Sequence, residues 1–215
     1  MKETYFTKDT IEDLSSEWLE TYARSKKKTD QPFDINRAGL LILDMQEYFI
    51  NADSHAFVPS GRTIIPGLNK LAAYFRSAER PVIATQHVNS PDDAGMMASW
   101  WAELITEDHE LVNLASELDI APGEIVIKNQ YDAFFESPLK EILDEKNVEQ
   151  LVIGGVMTHL CCDTTARSGF VQGYEIFFLV DGTATYNREY HLATLRNLAH
   201  GIAVLTTSGS LLRKE

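Results

Sequence analysis

Six short runs of unbroken hydrophobicity constrain this chain more than any other feature. They read "GLLILD" (39–44), "PVIATQ" (81–86), "EIVIK" (124–128), "QLVIGGV" (150–156), "EIFFLV" (175–180) and "GIAVLTT" (201–207). Continuous rather than alternating apolar character marks a strand covered on both faces, so the six runs predict one mainly parallel sheet. Amphipathic stretches at 64–79, 137–146, 161–172 and 188–199 lie between them and predict helices. Strand and helix alternating in this way close into an α/β fold. The expected form is a three-layer αβα sandwich with right-handed crossovers around a six-stranded, Rossmann-like sheet. A chain of 215 residues is long enough to bury such a core as one domain.

Residues 1–36 differ in texture. They are polar and charged, with an apolar stripe at Leu14, Trp18, Leu19 and Tyr22, a basic run at Lys26, Lys27 and Lys28, and a break at "DQPFD". This predicts a solvated helical arm, residues 1–36, laid on the surface of a 37–215 α/β domain or on a partner subunit. A second departure is the long non-strand excursion 87–123, which carries Met96, Met97, Trp100 and Trp101. Loops of that length in compact folds serve as lids or subunit contacts, and both uses are open here. Arm and excursion together predict a homodimer or homotetramer.

Charge narrows the partners. With 19 basic against 32 acidic residues the net charge is −13 and the pI about 4.9. Such a chain is repelled by phosphate backbones and anionic lipid, so neither nucleic acid nor a membrane is an expected partner, and a small-molecule substrate is. No run approaches the about 18 apolar residues of a spanning helix, and "MKETYFTKDTIEDL" is no signal sequence. The two cysteines, Cys161 and Cys162, are neighbours that close no useful disulfide loop, which suits a reducing, cytoplasmic compartment.

In an open parallel sheet the ligand sits outside the carboxyl ends of the strands. Those ends carry Asp44, then Gln86 and His87, then Lys128, then "THLCC". An acid, an ammonium and a thiol at one edge are the parts of an activated nucleophile. The cation and the following helix N-terminus would lower the thiol pKa, and the carboxylate would take its proton.

"LLILDMQEYF", "IVIKNQYDAFF" and "LVIGGVMTHLCCDTTARSGFVQGYEIFFLVDGTAT" together resemble the isochorismatase-like cysteine hydrolase superfamily over about residues 37–208. Nicotinamidases, N-carbamoylsarcosine amidases, ureide hydrolases and isochorismatases share it. The resemblance implies a catalytic triad of Asp44, Lys128 and Cys161. The nucleophile stands six residues after the glycine ending the fourth strand, and the count from Gly155 reaches Cys161. Cys162, turned by about 100° on a helix, would pack away from the pocket. The resemblance also implies a cis peptide at Val156–Met157 and an oxyanion hole from the backbone amides of Met157 and Cys161. The implied reaction is cleavage of a C–N bond in a small amide or N-carbamoyl ureide through a Cys161 thioester.

Two departures from the subfamilies sharpen this. The metal-binding nicotinamidases carry an Asp-x-His pattern after the second strand, where this chain reads Thr85-Gln86-His87. No metal or other cofactor is therefore expected, and His87 reads as a substrate hydrogen-bonder or a satisfied polar residue. The isochorismatases proper carry glycine where Cys161 stands. Vinyl ether hydrolysis by Asp44 and Lys128 is thus the second reading, and a non-catalytic binding protein on this fold is a third. Candidate substrate-binding residues are Phe49, Gln86, His87, Trp100 and Tyr131. His159 reads as structural and His191 as a helix-face residue. Arg167 is expected to pair with an acid or a partner subunit, and Asp181 and Thr183 to shape the pocket rim.

Overall fold

A computed structural model describes residues 1–22 and 32–213, so the basic run at Lys26–Lys28 lies outside the described residues. The strands are β1 (Ala38–Leu43), β2 (Val82–His87), β3 (Ile125–Lys128), β4 (Gln150–Val156), β5 (Glu175–Ala184) and β6 (Ala203–Thr206). The helices are α1 (Ile11–Tyr22), α2 (Glu47–Ile50), α3 (Gly61–Ser77), α4 (Met97–Trp100), α5 (Leu139–Glu145), α6 (Asp163–Val171), α7 (Arg188–Gly201) and α8 (Ser208–Leu212). All six strands are parallel, in the order β3-β2-β1-β4-β5-β6. Right-handed crossovers place α3 on one face, where α8 joins it, and α5, α6 and α7 on the other.

The central strands are buried throughout, as their unbroken apolar runs require: every residue of β1 and β4 is buried. The two edge strands differ from expectation. Ile127 on β3 is 51% exposed and Val204 on β6 is 38% exposed, because an edge strand has no neighbour on one side and its helices cover it incompletely.

The N-terminal segment forms the expected helix, α1, with Leu14, Trp18, Leu19 and Tyr22 turned onto the core, but it is set more deeply than a surface stripe. Tyr5, Phe6 and Trp18 are buried in the main core around the imidazole of His191, with ring centroids 5.2, 5.5 and 5.4 Å from it. The Tyr5 hydroxyl lies 3.1 Å from His191 Nδ1 and accepts the Thr185 amide at 2.9 Å. Burying three aromatics is worth several kcal/mol, far more than a surface stripe offers.

The excursion after β2 runs mostly in turns and is stitched back to the chain that leaves β1. Ala115 donates its amide to Met45 O, Glu47 to Asn113 O and Tyr48 to Leu111 O, all at 2.8–2.9 Å. It therefore lies across the carboxyl edge of the sheet. Among the described residues no helix is long and apolar enough to cross a membrane.

Candidate active site

β1 and β4 are neighbours whose connections leave the sheet in opposite directions, which opens a crevice at their carboxyl ends. The strands approach so closely there that a Cβ on Gly155, at φ +107°, would stand 2.1 Å from Leu43 O; only glycine fits. Asp44 follows immediately, itself in a left-handed conformation with φ +50°. Its amide donates to Thr85 O at 3.2 Å, and the Thr85 hydroxyl donates to its Oδ1 at 2.6 Å. Its Oδ2 lies 2.8 Å from Lys128 Nζ, and neither side chain has any exposed surface.

Lys128 has three N–H donors and four acceptors around it. Besides Asp44 it reaches Gln130 O at 2.8 Å, His87 Nδ1 at 3.1 Å and Cys161 Sγ at 3.6 Å. An ammonium donating to His87 Nδ1 puts the ring proton on Nε2, which donates to Asn89 Oδ1 at 2.7 Å. Burial, seconded by the Lys128 charge, lowers the His87 pKa to about 4, so the ring is neutral. For Lys128 burial acts downward, but Asp44 and Cys161 outweigh it and the ammonium is raised.

Cys161 sits on one turn of π-helix, Thr158–Cys162, that joins β4 to α6; such turns are frequent at functional sites. The Val156–Met157 peptide that precedes this turn is cis. Burial pushes the Cys161 thiol up to about 12, opposed by Lys128 and reinforced by Asp44. This corrects the expectation of a thiol lowered by its cation. The Lys128 charge is already matched by Asp44, so little of it is left to offset the loss of water. Cys162 is fully buried, with Sγ 3.9 Å from Gly154 O, and takes no part in the pocket.

A cavity of about 360 Å³, counting its mouth, opens onto this thiol. Phe49, His87, Tyr131 and Met157 line it together with Cys161. Two expected residues do not. Trp100 is 79% exposed, and its neighbour Trp101 lines the cavity instead, donating its indole N–H to the Tyr131 hydroxyl at 2.9 Å. Gln86 points to the opposite side of β2 from His87, as strand alternation demands, and donates to Val112 O at 3.0 Å. Met97, named with Trp101 in the excursion's apolar cluster, lines the cavity; sequence reasoning missed Tyr48 and, on the excursion, Asn89, Glu103, Leu104 and Ile105. The length of the excursion was the only signal for them. The excursion is thus a wall of the cavity.

Other expectations resolve away from the cavity. His159 stacks on Tyr190 at 4.5 Å and lies 2.6 Å from the Thr185 hydroxyl. Arg167 pairs with Asp163 one helical turn away. Asp181 and Thr183 are not on the rim. Asp181 lies within β5 and accepts the Ser208 amide at 2.8 Å at the start of α8, while the Thr183 hydroxyl donates to Leu179 O at 3.0 Å. His191 is wholly buried.

The isochorismatase domain family model matches residues 38–210. Nicotinamidase 3 of Arabidopsis thaliana is 38% identical over 181 residues, 82% of this chain and 87% of that protein. Enterobactin synthase component B of Escherichia coli is 31% identical over 183 residues, 84% of this chain but 64% of that longer protein. A cysteine hydrolase from Pseudomonas syringae superposes with a TM-score of 0.81 at 23% identity, covering 87% of this chain and 96% of its own. A zinc complex of Pyrococcus horikoshii pyrazinamidase does so at 0.72 and 21%, covering 80% and 99%. The residues here do not fit such a metal. Both ring nitrogens of His87 are engaged, one by an ammonium, and among the described residues no group of three His, Cys, Asp or Glu could hold an ion. With the fold, the crevice and this family match in agreement, the chain belongs to the isochorismatase family and is an isochorismatase-like hydrolase.

Proposed function

We propose that this hydrolase cleaves the C–N bond of a small amide or ureide through a thioester on Cys161. The observation that carries the reading is the contact chain Asp44–Lys128–Cys161, at 2.8 and 3.6 Å, ending at a thiol that lines the cavity. In the resting site the ammonium and carboxylate neutralise each other and the thiol keeps its proton. Attack then proceeds with transfer of that proton to Asp44, because a free thiolate is costly in so dry a place. Sulfur bonds to the substrate carbonyl carbon. The oxyanion is held by the backbone amides of Met157 and Cys161. As the C–N bond breaks, the Asp44 proton passes to the departing nitrogen, and ammonia or an amine leaves. Water, giving a proton to Asp44, then attacks the thioester; as the C–S bond breaks, that proton returns to sulfur. Lys128 stays charged throughout and holds the Asp44 carboxylate in place.

The isochorismatase domain match keeps vinyl ether hydrolysis as a second reading, in which Asp44 and Lys128 act without the thiol. A screen of amides, ureides and isochorismate with wild type and Cys161→Ala separates the two. Ammonia release abolished by the substitution supports C–N cleavage; isochorismate turnover retained by Cys161→Ala refutes it.

A further inference from the structure

Of the described residues lining the cavity, Glu103 alone carries a formal charge at neutral pH, since His87 is neutral and Asp44 and Lys128 are sealed behind the lining. Glu103 is also held in place. Its Oε1 lies 3.0 Å from His55 Nδ1 and 3.7 Å from His109 Nε2. The Leu111 amide donates to His109 Nδ1 at 3.1 Å, so the proton of a neutral His109 is on Nε2, facing Glu103. The Tyr48 hydroxyl lies 3.3 Å from His55 Nε2, and donation there puts the His55 proton on Nδ1, again facing Glu103. The Tyr48 ring meets both imidazoles edge-on, at 5.4 and 5.2 Å. Two imidazoles and a tyrosine thus fix one carboxylate at a cavity that, among the described residues, is lined by no lysine or arginine.

We infer that Glu103 sets the charge of the accepted substrate: the cavity takes a carbonyl compound whose tail is cationic or presents N–H donors, and it turns away anionic tails. This rests on the C–N hydrolase reading and gives that reading a substrate class. Half of the Glu103 side chain is in solvent, so the discrimination is that of a partly screened pair, roughly fivefold per charge. A dicarboxylate such as isochorismate meets this carboxylate with no lining arginine or lysine to offset it.

Three benzamides of matched shape test this: 3-(aminomethyl)benzamide, benzamide and 3-carboxybenzamide. Dissociation constants are measured by calorimetry on Cys161→Ala, with and without Glu103→Gln or Glu103→Lys, and ammonia release is followed with intact Cys161. The expected ranking is cationic over neutral over anionic, flattened roughly fivefold by Glu103→Gln and inverted by Glu103→Lys, with the change in Kd and KM rather than kcat. A ranking that Glu103→Gln and Glu103→Lys leave unmoved, or no binding of any of the three, overturns the assignment. Ranked binding without ammonia release refutes C–N cleavage and leaves Glu103 as the charge selector.

Discussion

Asp44 and Lys128 pair at 2.8 Å with no side-chain surface in solvent, whereas Glu103, on the same cavity, meets His55 and His109 with half its side chain wet. The two settings obey different energetics. A buried pair has given up its water, so removing one member strands the other and costs about 3–5 kcal/mol. A wet carboxylate keeps most of its hydration, and its neighbours are worth about 1 kcal/mol or less. The inner group is therefore built to hold charge still while a proton moves, and the outer one to sort what enters.

The sharpest way to break this contrast is Asp44→Asn. Hydrolysis should fall by at least about a thousandfold through loss of the proton acceptor, with unfolding free energy lower by about 3–5 kcal/mol in urea titration. The same substitution removes a charge that raises the thiol, leaving Cys161 the one acidic group beside the Lys128 ammonium among the contacts described. Iodoacetamide should then alkylate Cys161 faster at pH 7 than in wild type. In the wild type, the alkylation rate should still be climbing above pH 9. Wild-type alkylation that levels off below pH 8 would show that the site stores a thiolate and that the ion pair is not neutral toward the sulfur.

Next in size is the acid response of stability. His87 and His191 are held neutral by burial, with folded pKa values of about 4 and about 3 against an ordinary 6.5. A depressed pKa means that the unfolded chain takes up the proton first. The stability these rings contribute is present above pH 6.5 and is lost progressively as pH falls from 6.5 to the folded values of about 4 and about 3. Unfolding free energy should drop by a few kcal/mol between pH 7 and pH 4.5. The smallest effect is that of Cys162→Ser, which leaves turnover within about twofold while lowering stability by about 1–2 kcal/mol, since a buried hydroxyl there has only a distant carbonyl. Equal loss of turnover at Cys161 and Cys162 would erase the distinction between them.

The sequence made the inner group legible and the outer one opaque, for physical reasons. Asp44, Lys128 and the cysteines terminate apolar runs, and a change of periodicity marks a strand end well enough to place a side chain on the catalytic edge. Gln86 and Trp100 were each one residue out of phase with the cavity. Alternation on β2 and the turn of α4 decide between neighbours, and both phases come from packing. Glu103, His55 and His109 lie on irregular segments with no period to read. Tyr5 and Phe6 precede α1 without a pattern of their own, so their burial around His191 depends on contacts 180 or more residues apart along the chain. The state of the thiol was likewise invisible, because it turns on a charge balance among three residues at specific distances.

The central claim is that Cys161 carries the acyl group, and mass spectrometry of the enzyme quenched during turnover tests it most directly. With a hydrolysed amide, the expected adduct equals the acyl fragment in place of one hydrogen, confined to the peptide bearing Cys161 and absent from Cys161→Ala. Turnover with no such adduct and undiminished in Cys161→Ala would contradict it.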